Sequence, residues 1–323
     1  MKGRIKNKKL KDFTRKFISW PVKPGFHLLL LCPEWIIRIM SVILSWGFAT
    51  FGFPWKKTCM RNLRLVYGDT KSTAELRKIA KTSMKNLVII MHEAVLYFQN
   101  PPFYGWSAKI EGEHHLKKAL AENRGILGLG SHLGNFIFLM CVLSQRGYPI
   151  YFIYKEPKDK DFKEISQWVM NSIRLNLIPL KPRSVATKRS FSVLKKKDLL
   201  WLAIDQNVRE GEMGVELFGV KTSTAKGPAI LASRTGAAVL PMYVKRDGWL
   251  HHTVVIKEPI PLVDTGNKEK DLYDNLKRFN SEIESQILEN PWEWWWFHRR
   301  WKRSHRYEQT PEAEALLKGL KLS

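Results

Sequence analysis

Gly125-Ile126-Leu127-Gly128-Leu129-Gly130-Ser131-His132-Leu133-Gly134-Asn135-Phe136 is the stretch on which the fold turns. Its apolar part is short and bounded by glycine, the pattern of a buried strand at Ile126–Gly130. Small residues then lead to His132, and Gly134-Asn135 opens a helix expected over Asn135–Gln145. A strand that passes through a small-residue turn into a helix is the first half of a βαβ unit. In open α/β sheets, ligands gather at the carboxyl ends of the strands, where His132 stands. Imidazole titrates near neutrality, so a histidine there can serve as general base toward a hydroxyl. Amides at the following helix start suit an anionic group. By itself, a single histidine at a strand end is more often structural than catalytic.

The same alternation continues downstream. Strands are expected at Pro149–Tyr154, Leu199–Ile204, Val239–Val244 and Thr253–Lys257, with helices near Asp161–Leu175, Lys188–Lys196 and Gly227–Thr235. A last helix, Lys268–Leu288, leads to a tryptophan-rich segment. Upstream, residues 56–100 read as helical: Ser72-Thr73-Ala74-Glu75 is a cap with an acidic first turn, and Asn100-Pro101-Pro102 is a stop. The fold class is therefore α/β, a central mostly parallel or mixed sheet flanked by helices. The sequence divides into a basic tail and apolar segment (1–55), an α/β domain (56–305) and a polar tail (306–323).

Charge and aromatic content narrow the partners. The 323 residues include 54 Lys and Arg against 30 Asp and Glu, a net charge of +24. Such a surface seeks polyanions. Thirteen tryptophans, several beside cations, fit a membrane interface. No nucleic-acid-binding signature accompanies the charge, so nucleic acid is not expected as a partner. Cys32, Cys59 and Cys141 form no disulfide framework or zinc spacing, so a reducing compartment is expected and no metal.

The N-terminus opens with Lys2, Arg4, Lys6, Lys8, Lys9, Lys11, Arg15 and Lys16. An apolar stretch follows from Phe26 to Trp55, interrupted by Glu34 and Arg38; its cleanest part is Ile39–Pro54. That part is shorter than the ~20 residues of a spanning helix. An interfacial or half-inserted anchoring helix on an anionic leaflet is the expectation, with a buried core helix as the alternative.

Ser131-His132-Leu133-Gly134-Asn135-Phe136 resembles the first motif of the lipid A biosynthesis (late) acyltransferase family, within the glycerolipid acyltransferase superfamily. Other blocks agree in order. Arg61-Asn62-Leu63-Arg64-Leu65 with Glu93, then Arg174, Asp205-Gln206, Gly214-Val215 and Thr224-Ala225-Lys226-Gly227-Pro228-Ala229 all resemble the family's pattern. So does Asn290-Pro291-Trp292-Glu293-Trp294-Trp295-Trp296-Phe297-His298-Arg299-Arg300. The resemblance covers about residues 30–303.

It implies transfer of a fatty acyl chain from an acyl thioester to a hydroxyl of a membrane glycolipid such as a lipid A precursor. Acyl carrier protein is the implied donor, coenzyme A the other. Transfer is direct, with no cofactor. His132 is the implied base, Asn135 or nearby helix amides stabilise the oxyanion, and Asp205 is a third catalytic candidate. Ser131, Gly134, Arg174, Gln206, Lys226 and Gly227 are candidates for substrate binding. The implied location is the cytoplasmic face of an inner membrane.

One position departs. The family places an acidic residue five positions after the histidine, and Ile137 stands there. Asp205 is the first alternative carboxylate, with Glu156 and Glu93 behind it. Two other readings remain open: an acceptor of glycerolipid or lysolipid type, and an inactive lipid-binding homologue. The Trp292–Trp301 segment, with Arg299, Arg300, Lys302 and Arg303, is expected at a surface or interface.

Overall fold

A computed structural model of the chain describes residues 22–99, 108–157, 159–172 and 175–320. The basic run 1–16, the stop expected at Asn100-Pro101-Pro102 and the candidate Arg174 lie outside these residues. The centre is a seven-stranded sheet made of β1 (Lys109–Glu111), β2 (Ile126–Gly130), β3 (Ile150–Tyr154), β4 (Asn176–Pro179), β5 (Leu199–Ala203), β8 (Ala238–Gly248) and β9 (His251–Ile256). Their spatial order is β1-β9-β8-β2-β5-β3-β4. Every neighbouring pair is parallel except β8 and β9, which form an antiparallel hairpin. A small two-stranded ribbon, β6 (Glu212–Leu217) and β7 (Val220–Ala225), stands apart from it.

The central strands alternate sides. Leu127, Leu129, Leu200, Val239 and Tyr243 face one core, while Ile126, Leu199, Trp201, Leu240 and Met242 face the other. A sheet covered on both faces needs strands that are apolar throughout, which is why these segments read as unbroken apolar runs. The first core lies under α3 (Phe53–Tyr67), α8 (Arg183–Lys195), α9 (Gly227–Thr235) and α10 (Lys268–Glu289). The second lies under α5 (Glu113–Ala121), α6 (Phe136–Gln145) and part of α4 (Thr73–Gln99). The glycines of β2 belong to this second side. A Cβ at Gly130 would lie 2.3 Å from the Trp201 indole, and one at Gly128 would lie 2.9 Å from it. The two glycines make the space that the indole fills.

The N-terminal apolar run divides at Pro33 and Gly52 into α1 (Val22–Leu31), α2 (Glu34–Phe51) and α3. Among the described residues, α2 is the helix long and apolar enough to cross a membrane. Only Ile37, Ser41, Ser45 and Ala49 of α2 are buried, a stripe at every fourth residue that packs on α4. The two helices run antiparallel. Gln99 donates to the carbonyls of Leu29, Leu30 and Cys32, while Gly52 lies against Met84. At the other end of α4, the Ser72 N–H donates to Glu75 and the Glu75 N–H donates back to the Ser72 hydroxyl, so the cap is reciprocal.

Several elements escape the sequence reading. β1 and β4 are too short to show a period. The β6–β7 ribbon alternates, but its inward side chains include Thr222 and Thr224, so its apolar signal is weak. His114 and His115 lie in the first turn of α5, a helix for which the sequence shows no clear start. Residues 311–319 form α11 (Pro311–Gly319), with Ala313 and Leu317 buried in the first core.

The tryptophan segment is a correction. Trp294, Trp296 and Trp301 are buried in the first core, and Arg300 is buried with them. Arg300 donates to the Thr222 hydroxyl, the Ser223 carbonyl and the Thr224 hydroxyl. Burial pulls its guanidinium down to about 10. Cations beside tryptophan here tie a core segment to β7. Trp296→Ala should therefore lower unfolding stability by about 3–5 kcal/mol. Trp292→Ala, at a half-exposed position, should stay within about 0.5 kcal/mol. Urea unfolding of both variants separates the two cases.

Candidate functional site

The register of the sheet builds the site. β2 and β5 are parallel neighbours with Gly130 opposite Ala203. Two residues further along each chain, past the strand ends, stand His132 and Asp205. Chain positions 73 residues apart are thereby set side by side. The turn that carries His132 is fixed from several directions. Gly134 has φ +59, and a Cβ there would lie 2.5 Å from the Val244 carbonyl oxygen, so glycine is required. Its N–H donates to the Glu293 carbonyl at 3.1 Å, and the Trp295 N–H donates to the His132 carbonyl at 3.3 Å. Leu133 and Trp294 form an antiparallel bridge between them.

Asp205 is buried and accepts three hydrogen bonds. The His132 ring donates from Nδ1 at 2.8 Å, the His132 backbone N–H at 2.9 Å and the Trp294 indole at 2.8 Å. Burial pushes this carboxyl up, but His132 and these donors outweigh it and hold Asp205 at about 2. Since the carboxylate only accepts, the Nδ1 of His132 carries the proton and Nε2 presents a lone pair. The side-chain nitrogen of Gln206 lies 3.0 Å from Nε2 and donates to it. Phe136 and Trp295 flank the ring, with centroids at 5.2 and 4.8 Å. Phe136 in turn stacks on Trp201, the residue for which β2 kept its glycines.

Behind the turn lies a second buried charge cluster. Asn135 is fully buried: its carbonyl accepts from the Phe138 N–H, capping α6, and its amide donates to Glu93 at 3.0 Å. Glu93, on α4, also accepts from both terminal nitrogens of Arg246, from the Leu250 N–H and from His252. Burial raises this carboxyl, yet His252 and Arg246 outweigh the burial and hold it at about 2. Glu293 fares differently. Arg246 Nε lies 3.7 Å away and Asn86 donates to one oxygen, but the other oxygen has no partner among the described residues. Burial dominates and lifts Glu293 to about 7.

The remaining candidates spread out. Ser131 is buried, and its hydroxyl has no partner among the described residues. Lys226 and Gly227 stand at the start of α9, with the Lys226 N–H bonded to the Gly211 carbonyl. Glu156 pairs with Lys163 at 3.1 Å, away from the histidine. Ile137 packs against apolar side chains of the second core. Sequence reasoning missed Arg246, Glu293, Trp294 and Trp295 as parts of the site. The Asn290–Arg300 block was the signal for the last three, but nothing in it says that its backbone pairs with the histidine turn, and Arg246 had no signal. Among the described residues, no group of three or more His, Cys, Asp or Glu is placed to hold a metal ion.

Comparison with known proteins adds to this geometry. The family described as bacterial lipid A biosynthesis acyltransferase matches residues 4–303. The chain is 25% identical over 201 residues to the lipid A biosynthesis palmitoleoyltransferase of Escherichia coli, spanning 60% of this chain and 61% of that protein. To the lipid A biosynthesis lauroyltransferase of the same organism it is 25% identical over 308 residues, 86% of this chain and 95% of that one. To a lipid A biosynthesis acyltransferase of Haemophilus influenzae it is 25% identical over 326 residues, 95% and 99% of the two chains.

The raised carboxyl of Glu293 predicts a stability profile. Unfolded glutamate titrates near ~4.3, so between there and about 7 the folded chain holds a proton that the unfolded chain has lost. Stability contributed by the protonated form therefore declines as pH rises through that window and stays lost above it. Glu293→Gln, neutral at every pH, should be more stable than the native chain at pH ~8 by on the order of 3–4 kcal/mol and by only about 1 kcal/mol at pH ~5. Urea unfolding at both pH values checks the sign.

Proposed function

The chain belongs to the bacterial lipid A biosynthesis acyltransferase family, and from that premise we propose that it moves a fatty acyl chain from an acyl thioester to a hydroxyl of a membrane glycolipid such as a lipid A precursor. The observation that carries this reading is the His132–Asp205 pair at the carboxyl end of β2, with the free nitrogen of His132 turned toward Gln206. His132 Nε2 takes the proton of the acceptor hydroxyl while that oxygen attacks the thioester carbonyl. One C–O bond forms and, on collapse of the tetrahedral adduct, the C–S bond breaks. The proton passes from His132 to the departing sulfur. Asp205 holds the ring in the productive tautomer and stabilises the transient imidazolium.

The incoming hydroxyl must take the place of the Gln206 amide at Nε2. Once displaced, that amide is a donor within a side chain's swing of the adduct, and we assign it to the oxyanion. Asn135 is given a positioning role, because both ends of its amide are already engaged. Ile137 does not leave the histidine without a carboxylate, since Asp205 supplies one at 2.8 Å. That contact favours a working enzyme over an inactive homologue.

The donor proposed is acyl carrier protein, an acidic partner that a net charge of +24 would steer by long-range attraction. The proposed site of action is the cytoplasmic face of the inner membrane. The apolar outer face of α2 supports membrane attachment: Trp35, Ile39, Val42, Ile43 and Trp46 are all exposed. Because α2 is bound along its length to α4, it acts as an interfacial anchor held to the domain.

The test is transfer in detergent micelles from labelled acyl carrier protein to a panel of lipid acceptors. His132→Ala should abolish turnover. Asp205→Asn should lower it by about 10²–10⁴-fold with little change in acceptor binding. Absence of transfer by the native chain to any acceptor, from either donor, would refute the enzyme reading.

A further inference from the structure

Helix α7 (Lys160–Ser172) carries apolar residues the chemistry does not use. Phe162, Ile165, Trp168 and Val169 recur at helical spacing and make one face amphipathic. Val169 is buried, but Phe162 and Trp168 are 43% and 42% exposed. The face is not isolated. Trp168 meets Phe26 of α1 edge to face at 5.8 Å, and α1 and α7 pack together. Leu28 and Leu31 of α1 are exposed as well, and α1 and α2, with its exposed apolar face, both pack on α4, whose Met91 is also exposed. Exposed apolar side chains gathered on neighbouring helices in this way mark a site of association.

Charge identifies what covers it. Residues 22–67 contain Lys23, Arg38, Lys56, Lys57, Arg61 and Arg64 against Glu34 alone. A second copy of the chain would bring the same positive charge against it. An anionic bilayer brings the opposite charge and accepts tryptophan at its interface. Topology gives the face a purpose. The chain enters α7 from the carboxyl end of β3, so Phe162, in the first turn, lies at the rim where the parallel strands end. That rim also carries His132, and β3 is two strands from β2, roughly 10 Å across the sheet.

We propose that α7 is a second membrane contact, in which Phe162 and Trp168, continuous with α1 and α2, seat the catalytic rim of the sheet on an anionic bilayer. A lipid-borne hydroxyl then reaches His132 without leaving the interface. The inference rests on the reading of α2 as an interfacial anchor, and needs no assumption about the acyl donor or the acceptor.

Single cysteines carrying a polarity-sensitive dye test it on the full chain diluted from detergent into phosphatidylglycerol vesicles. Cys59 and Cys141 are buried, so a Cys32→Ser background leaves only the introduced thiol open to labelling. Ile43→Cys reports on α2, Phe162→Cys and Trp168→Cys on α7, and Glu312→Cys on α11 at the opposite side. The expected result is a blue shift at 43, 162 and 168 and none at 312, with unlabelled Phe162→Ser/Trp168→Ser binding these vesicles roughly tenfold more weakly. A shift at 43 alone would overturn the α7 contact and leave the anchor standing. No shift at any position would overturn the anchor reading and this inference with it. A shift at 162 and 168 without lipid, with doubled mass by light scattering, would assign the face to a second copy instead.

Discussion

A carboxylate withdrawn from water has to be surrounded by donors, and the arrangement of this molecule around Asp205 follows from that requirement. A buried charge left without partners costs several kcal/mol, about 3–5 when one partner of a buried pair is removed. Asp205 meets the condition with donors from two places distant in sequence: the ring and backbone of His132, and the indole of Trp294. Satisfying the charge therefore pulls the tryptophan segment onto the histidine turn. Once there, the segment exchanges backbone contacts with the turn at Leu133, His132 and Gly134. The same electrostatics that hold the fold closed fix the tautomer that leaves His132 Nε2 available.

The second buried cluster extends this logic outward. Glu93 belongs to α4, and by holding Asn135 it joins that helix to the start of α6. The same helix receives the small-residue stripe of α2. One helix thus bears the histidine turn through Asn135 and the proposed membrane face through α2, with the diameters of two helices, about 20 Å, between them. On this arrangement, lipid depth and histidine position are set by one rigid element. Glu293 is the weak member of the cluster. Arg246 spends its two terminal nitrogens on Glu93, so only its Nε faces Glu293, at 3.7 Å. The segment nearest the histidine turn therefore contains a carboxyl that burial lifts to about 7.

Much of this was legible before the structure. The strands β2, β3 and β5 and the helices α6, α9 and α10 were found within a residue or two, because each is apolar enough to show its period. His132 drew attention for a different reason: a histidine at a strand end says little by itself, but the Ser131–Phe136 stretch around it resembles a family motif. Asp205 stood out by ending the next expected strand, but its distance to His132 depends on strand order, which no local pattern encodes. The tryptophan segment was misread because cations beside tryptophan are as compatible with a buried arginine bound to threonines as with a membrane interface. Arg300 is the first case, whereas the exposed aromatics of α2 and α3 fit the second.

The departure at Ile137 shows what the sheet contributes. A carboxylate at that position would ride on α6, the same element that the histidine turn leads into, and the pair would move together. Asp205 stands two residues past the end of β5, a hydrogen-bonded neighbour of β2 in matched register. Pairing through the sheet transfers the rigidity of two parallel strands to the distance between His132 and Asp205. It also frees the first turn of α6. Ile137 then adds to apolar packing, beside a Phe136 ring that stacks on Trp201 and touches His132. The histidine is thereby held by a charge from one strand and by an aromatic wall from the other side of the same sheet. The aromatic wall depends on glycines at 128 and 130 that leave room for one indole.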